Sequence, residues 1–523
     1  MYNREFLTEN SNGENPPAPF LEEGIDLTEN LSGNYQSMTL KTVMPLAYQA
    51  LNKSRWALAL FAFALYSCSQ PSNQSTVTLT PNPNAEERQV TQGNQGHFLN
   101  HRQAFLPDDQ WVAFDGRGED PKMGENDLIG MVNLESGEVR ELYRVPGQQS
   151  FGPGSGAVSV NPQGGEVAFI RGLLSASPEL PYDLTRRSCM GLDLSKPGQA
   201  GIQNLDARDI TPPYTPGALR GGSHAYCYSA DGQWLSFTYN DAVLLETSKA
   251  DPTVKDLRTV AFLVKGKRVE VETKLPGQEF SGAAFTVIAA KVVPSPKPGS
   301  DEIQKAAEET WVGEQGFARA NGEKVYRAMA YLGDVVTAEG NVVTEVFVTE
   351  IPENWEESLA DTDLLGSATQ MPEVPKAFTQ RRVTFLADKK YPGVEGPRHW
   401  LRTTRSGDKI FFYAKSDDGV VQLHSVSPNG GAPVQITHND FSPETGFSLS
   451  PDERWVVFGY QNRVYITDLE TGESFRVGPE PKANESQMWN FNWSYSGNTL
   501  VYNKRVEEDG ASFFQIFTMN PFQ

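Results

Sequence analysis

One nine-residue frame recurs along this chain and limits what it can fold into. It reads SADGQWLSF at 229–237, LPDDQWVAF at 106–114, NPQGGEVAF at 161–169, TRSGDKIFF at 404–412, SPDERWVVF at 450–458 and SYSGNTLVY at 494–502. A small or polar residue typically opens the frame, turn residues fill its middle and an aromatic closes it. The parent stretch, 223–240 (SHAYCYSADGQWLSFTYN), alternates Tyr226 and Tyr228 with Ala225 and Cys227, turns at Ala230-Asp231-Gly232 and runs back through Trp234 to Phe237. That is a hairpin signal. Its recurrence every 40–70 residues or so marks a repeat fold.

Each unit reads as four strands. In 398–437 they are RHWLRTT, KIFFYAK, VVQLHSVSP and APVQIT, joined by the hairpin turns DDG and NGG. The last unit gives only three strands before Gln523, while a lone strand, RQVT at 88–91, precedes the first unit. Pairing the two would close a ring and cover edges that invite aggregation. The expected fold class is therefore all-β. Units near 100, 155, 223, 281, 398, 444 and 488 give seven blades of four strands, with six or eight as alternatives. The fourth unit is expected to carry a small helical insertion capped by Ser300 and starting at Asp301. An irregular excursion is expected over 352–378.

Composition narrows the partners. The 523 residues carry a formal net charge of −21, which repels phosphate backbones and argues against nucleic acid. Three cysteines, Cys68, Cys189 and Cys227, do not make a disulfide scaffold, and the last two are expected to be buried free thiols. A monomer is expected.

The N-terminal region divides into an irregular polar leader over 1–43, a signal peptide over 44–67 and a tether over 68–87, with the propeller from 88 to 523. Lys53-Ser54-Arg55 is followed by the apolar run WALALFAFALY and then Ser67-Cys68. A basic start, a short apolar run and a small residue before the cut make a secretory signal, and the run is short for a bilayer span. A translation start at Met38 or Met44 would bring that signal to the N-terminus. Leu65-Tyr66-Ser67-Cys68 resembles a bacterial lipobox, which implies cleavage before Cys68 and lipid on its sulfur. Ser69 after the cut favours lipid anchoring on the periplasmic face of the outer membrane.

The frames, with closing strands such as VQIT, resemble the TolB-type (PD40, WD40-like) β-propellers. A closer resemblance is to the YidR-like propeller family, carried by 205–241 (LDARDITPPYTPGALRGGSHAYCYSADGQWLSFTYND), 294–303 (PSPKPGSDEI) and 391–400 (YPGVEGPRHW). The resemblance implies the fold and carries no activity with it. Too few residues separate Cys68 from the first strand for the α/β domain that precedes the TolB propeller.

Candidate chemistry lies in one column. Five residues before the frame stand His101, His224 and His399, with Gly156, Thr445 and Trp489 in other units. Two approach loops match: Tyr214 to Gly217 leads to Arg220 and His224, and Tyr391 to Gly393 leads to Arg398 and His399. Arg220, His224, Arg398 and His399 are the expected ligand residues, because an arginine fork matches a carboxylate. His101, His224 and His399 are the candidate metal ligands, for Mn or Zn. Asp301, Glu302, Glu308 and Glu309 form an acidic set expected on one helix. The expected function is a binding module for a protein or carboxylate-bearing saccharide at the channel mouth. The alternative is a metal-assisted carbohydrate lyase or hydrolase, by analogy with propeller-fold oligogalacturonate lyases that use histidine-bound manganese. No nucleophile elbow, P-loop or CxxC is present.

Overall fold

The computed structural model describes residues 79–508 and 510–523. The leader, the signal peptide, Cys68 and most of the tether lie outside them. The described residues belong to one compact unit, Val77–Gln523.

The frame folds as its chemistry dictates. In four copies the opening hydroxyl accepts the backbone N–H five residues on: Trp234 to Ser229 Oγ at 3.1 Å, Lys409 to Thr404 Oγ1 at 3.1 Å, Trp455 to Ser450 Oγ at 2.9 Å and Thr499 to Ser494 Oγ at 3.0 Å. The opening residue's own N–H returns the bond to the carbonyl of that partner, as Ser229 does to Trp234 at 2.8 Å. A short side chain competing for backbone donors thus closes the turn.

The fold is all-β, built of antiparallel meanders. The first sheet is Trp111–Asp115, Leu128–Asn133 and Val139–Arg144, with isolated bridges from Phe98 to Asp115 and from Phe105 to Val112 on its inner side. The second is Ser155–Val160, Glu166–Gly172, Arg187–Asp193 and Ile202–Asn204. The third runs Gly221–Tyr228, Trp234–Asp241, Arg258–Val269 and Gly282–Ile288. The fourth runs Ile303–Trp311, Arg327–Val336, Val342–Ile351 and Thr379–Arg382. A single parallel pair, Arg258 with Lys305, links the third to the fourth. The fifth, from Arg402–Thr403 to Val434–Gln435, and the sixth, from Ser448–Leu449 to Ser474–Val477, have four strands each. The seventh holds Glu485–Trp493, Leu500–Glu508 and Ala511–Met519, and its fourth strand is Glu87–Gln89, paired antiparallel to Phe517–Met519.

The core lies between neighbouring sheets. Ile170 and Cys189 of the second pack with Tyr226 and Phe237 of the third, and Val346 of the fourth packs with Ile410 and Phe412 of the fifth. Cys189 and Cys227 are buried free thiols.

Three expectations are corrected. No helix starts at Asp301; Ile303–Trp311 is a strand, because Ile303, Ala306, Ala307 and Trp311 are buried where it pairs with Arg327–Val336. The acidic set therefore does not share a helix face: Asp301 is exposed and paired with Arg382, while Glu309 is fully buried. The stretch near 281 does not open the fourth sheet either. Gly282–Ile288 is the outer strand of the third, paired to Arg258–Val269. Among the described residues the single α-helix is Ala242–Ala250, capped by Asp241, whose side chain accepts from Leu244 N.

Candidate functional site

The inner ends of the sheets meet around a cavity of about 630 Å³. A repeated backbone device shapes its wall. Ala157, Ala225, Glu308 and Asn490 have φ of 53°, 64°, 56° and 55°, and each sits at a register shift in the innermost strand of its sheet. A left-handed non-glycine residue costs roughly 1–2 kcal/mol. A bulge bends the strand and re-aims neighbouring side chains. The residue before the left-handed one is the column residue at Gly156, His224 and Trp489. His101, His224, His399, Thr445 and Trp489 all line the cavity.

The wall is basic although the chain is acidic. Five arginines (117, 187, 258, 398 and 402) face three carboxylates, Asp120, Glu308 and Glu444. Arg117 is neutralised by Asp115 at 2.9 Å and Asp120 at 3.2 Å. Arg398 pairs through Nε with Glu308 at 3.1 Å and remains 53% exposed. Arg187 lies over the Tyr182 ring, and among the described residues neither it nor Arg258 forms an ion pair. Burial lowers the Arg258 pKa; Glu308 opposes this, and Arg398 and Arg187 add to it. Burial, with Arg102 nearby, brings Arg402 down to about 9.

The histidines are held uncharged. Burial drives His224 well below its ordinary range, helped by Arg187, Arg258 and Arg398, and its Nδ1 is buried without a hydrogen-bond partner. His101 is depressed by burial and by Arg102, Arg402, Arg398 and Arg117; its Nε2 is also unpartnered. Its ring stacks on Trp400, centroids 3.4 Å apart. His399 differs. Its Nε2 accepts from Tyr413 N at 3.2 Å, so its Nδ1 carries the proton and donates to Pro397 O at 2.9 Å. Burial lowers its pKa to about 4. His399 anchors its own sheet by backbone bonds.

The ligand set is thus brought together in part. His224, Arg398 and His399 border one cavity; Arg220 does not. It is 1% exposed, pairs with Asp241 at 2.6 Å and donates to the carbonyls of Ser367 and Gln370 at 2.6 and 2.9 Å. Its task is to hold the 352–378 excursion against the third sheet. The metal assignment to His101, His224 and His399 does not fit the geometry: among the described residues no group of three or more His, Cys, Asp or Glu is placed to hold a metal ion. Sequence reasoning missed Arg187 and Arg258, which open the third strands of two different sheets and share no motif.

A family model described as "Protein of unknown function (DUF3748)" matches residues 154–279, a span that includes Arg187, His224 and Arg258. Solved structures similar to the chain include oligogalacturonate lyase from Vibrio parahaemolyticus (10% identity, 84% of this chain and 96% of that one, TM-score 0.36). TolB from Acinetobacter baumannii is 11% identical over 79% of this chain and 82% of that one, TM-score 0.32. The β-propeller domain of Cps50 (Swd1) from Myceliophteria thermophila is 11% identical over 83% of this chain and 99% of that one, TM-score 0.41. The "Uncharacterized protein YidR" of Escherichia coli strain K12 is 37% identical over 390 residues, 74% of this chain and 87% of that protein. The chain belongs to the YidR family.

Proposed function

We propose that this protein is a binding module that takes a carboxylate-bearing saccharide in the central cavity of a closed, seven-bladed propeller. Pairing of Glu87–Gln89 with Phe517–Met519 supports the closed ring. One observation carries the ligand assignment: Arg187 and Arg258 face the cavity without an ion pair among the described residues, beside the unpartnered Nδ1 of a neutral His224. A carboxylate suits two guanidinium forks. An imidazole nitrogen suits a hydroxyl, and Trp489, 37% exposed, offers a face to a sugar ring. A protein ligand would enter the same site through a carboxylate side chain or terminus.

The test is thermal unfolding with a hexuronic acid and with the corresponding neutral hexose. A ligand at a hundred times its Kd adds about 2.7 kcal/mol to stability. The acid raises the midpoint and the hexose does not; equal behaviour of the two overturns the assignment.

The enzymatic reading, a carbohydrate lyase or hydrolase, draws on the neutral His224 imidazole beside arginines, an arrangement able to take a proton α to a neutralised carboxylate. Among the described residues no group of three or more His, Cys, Asp or Glu is placed to hold Mn or Zn, and this reading uses no metal. Product formation from an oligouronate by metal-free protein, lost in H224A, would favour it. For location we propose lipid anchoring through Cys68 on the periplasmic face of the outer membrane. Among the described residues no helix is long and apolar enough to cross a membrane. Retention of a C68A variant in membranes after a carbonate wash would count against the anchor.

A further inference from the structure

A second opening adjoins the cavity. It is a cleft of about 720 Å³ between the fourth and fifth sheets, and Glu308, Pro397, Arg398 and His399 border both spaces. The Arg398–Glu308 pair therefore stands on the common wall.

The wall is fixed on both sides. Val394 N donates to Thr344 O of the fourth sheet at 2.8 Å, and Glu395 N donates to Tyr413 O of the fifth at 3.3 Å. Gly393, at φ +85°, lies so close to Thr344 that a Cβ would stand 2.8 Å from its carbonyl oxygen. Glu308 itself occupies a left-handed conformation, φ 56°. Strain of that kind, held in place by surrounding structure, clusters at functional positions.

The charge of the two spaces differs. The cavity carries an excess of arginine. In the cleft each cation has a carboxylate: Lys305 with Asp334 at 3.6 Å, Lys415 with Glu395 at 2.8 Å and Arg398 with Glu308. A matched set of donors and acceptors has no net pull on an anion, but it can hydrogen-bond the hydroxyls of a neutral sugar.

We propose that the ligand is an acid-terminated oligosaccharide: its uronic acid sits in the cavity and at least one neutral sugar unit continues past Arg398 into the cleft. This rests on the cavity reading above. Linking two occupied subsites adds affinity without a new charge contact.

Calorimetric titration of the full mature chain with three probes tests it: a hexuronic acid, an aldobiouronic acid (that hexuronic acid linked to a neutral hexose) and a diuronic acid. The aldobiouronic acid is expected to bind at least about tenfold tighter than the monomer. The double variant K305A/K415A, checked for an unchanged melting curve, is expected to lose that gain. Equal affinity for monomer and aldobiouronic acid overturns the cleft assignment and leaves the cavity reading standing. Tighter binding of the diuronic acid than of the aldobiouronic acid overturns the neutral second unit. Binding of none of the three overturns both readings.

Discussion

His101 and Trp400 stack face to face, 3.4 Å between centroids and 10° from parallel, although one precedes the first sheet and the other the fifth. Around them the chain is tied across the cavity by hydrogen bonds between separate sheets. Arg402 Nη2 donates to His101 O at 2.8 Å, and Arg102 donates to Glu309 O at 2.6 Å and Ala225 O at 3.1 Å. These bonds join sheets that are not neighbours in sequence and give the cavity a bonded floor.

That floor rests on a buried ion pair, Arg102 with Glu309 at 3.1 Å, 7% and 0% exposed. Thr238 Oγ1 adds a donor to Glu309 at 3.0 Å. Removing one partner strands the other charge, at a cost of about 3–5 kcal/mol. E309A should therefore unfold at clearly lower denaturant, and R102M/E309M should recover much of the loss. An E309A midpoint equal to the parent's would show that the pair holds nothing.

Arg220 separates structure from binding. R220A leaves Asp241 buried without its guanidinium partner and frees the carbonyls of Ser367 and Gln370, so denaturant titration should register a loss of about 3–5 kcal/mol. Hexuronate affinity at a temperature where the variant is folded should match the parent's. A stable R220A with weakened binding would return Arg220 to the ligand set.

The N-terminal strand supplies the outer edge of the seventh sheet. Glu87 also receives bonds from Tyr502 and Lys504. A chain beginning at Asn94 should melt lower and aggregate, because the Ala511–Met519 edge is left unpaired. Light scattering during heating checks this; a truncated chain that stays monomeric and melts like the parent contradicts it.

Asp206 gives a pH signature. Burial raises its pKa to about 7, against the bonds it accepts from Ser223 Oγ and Cys189 N. The native state thus holds a proton that the unfolded chain releases near the ordinary carboxylate value of 3.8. This stability is complete below about pH 4 and is lost as pH rises through about 7. D206N, which cannot ionise, should flatten the decline of midpoint with pH between 5 and 8. An unchanged slope would assign the decline to other groups.

Much of the fold is legible in the frames because Ser229, Thr404, Ser450 and Ser494 announce a hydroxyl-closed turn. The fourth sheet carries no such frame. The acidic run after Ser300 imitates a helix start, while the burial of Ile303 and Trp311 that makes it a strand depends on partners far along the chain. The histidine column could be read as a register. The bulges at Ala225 and Asn490 that turn it inward have no residue-type signal, and Arg187 and Arg258 meet only after their sheets are placed. Arg220 and Arg398 end matching loops in sequence, yet Asp241 lies beside the first and Glu308 beside the second.

Arg187 and Arg258, which form no ion pair among the described residues, are the arginines proposed to bind the carboxylate. The most direct measurement is calorimetric titration of a hexuronic acid into the parent, R187A, R258A and the double variant. Each single change should weaken binding by about 1.5–3 kcal/mol, the usual worth of a charged hydrogen bond, and the double change should abolish measurable heat. Unaltered affinity in the double variant would show that the carboxylate does not rest on these two arginines.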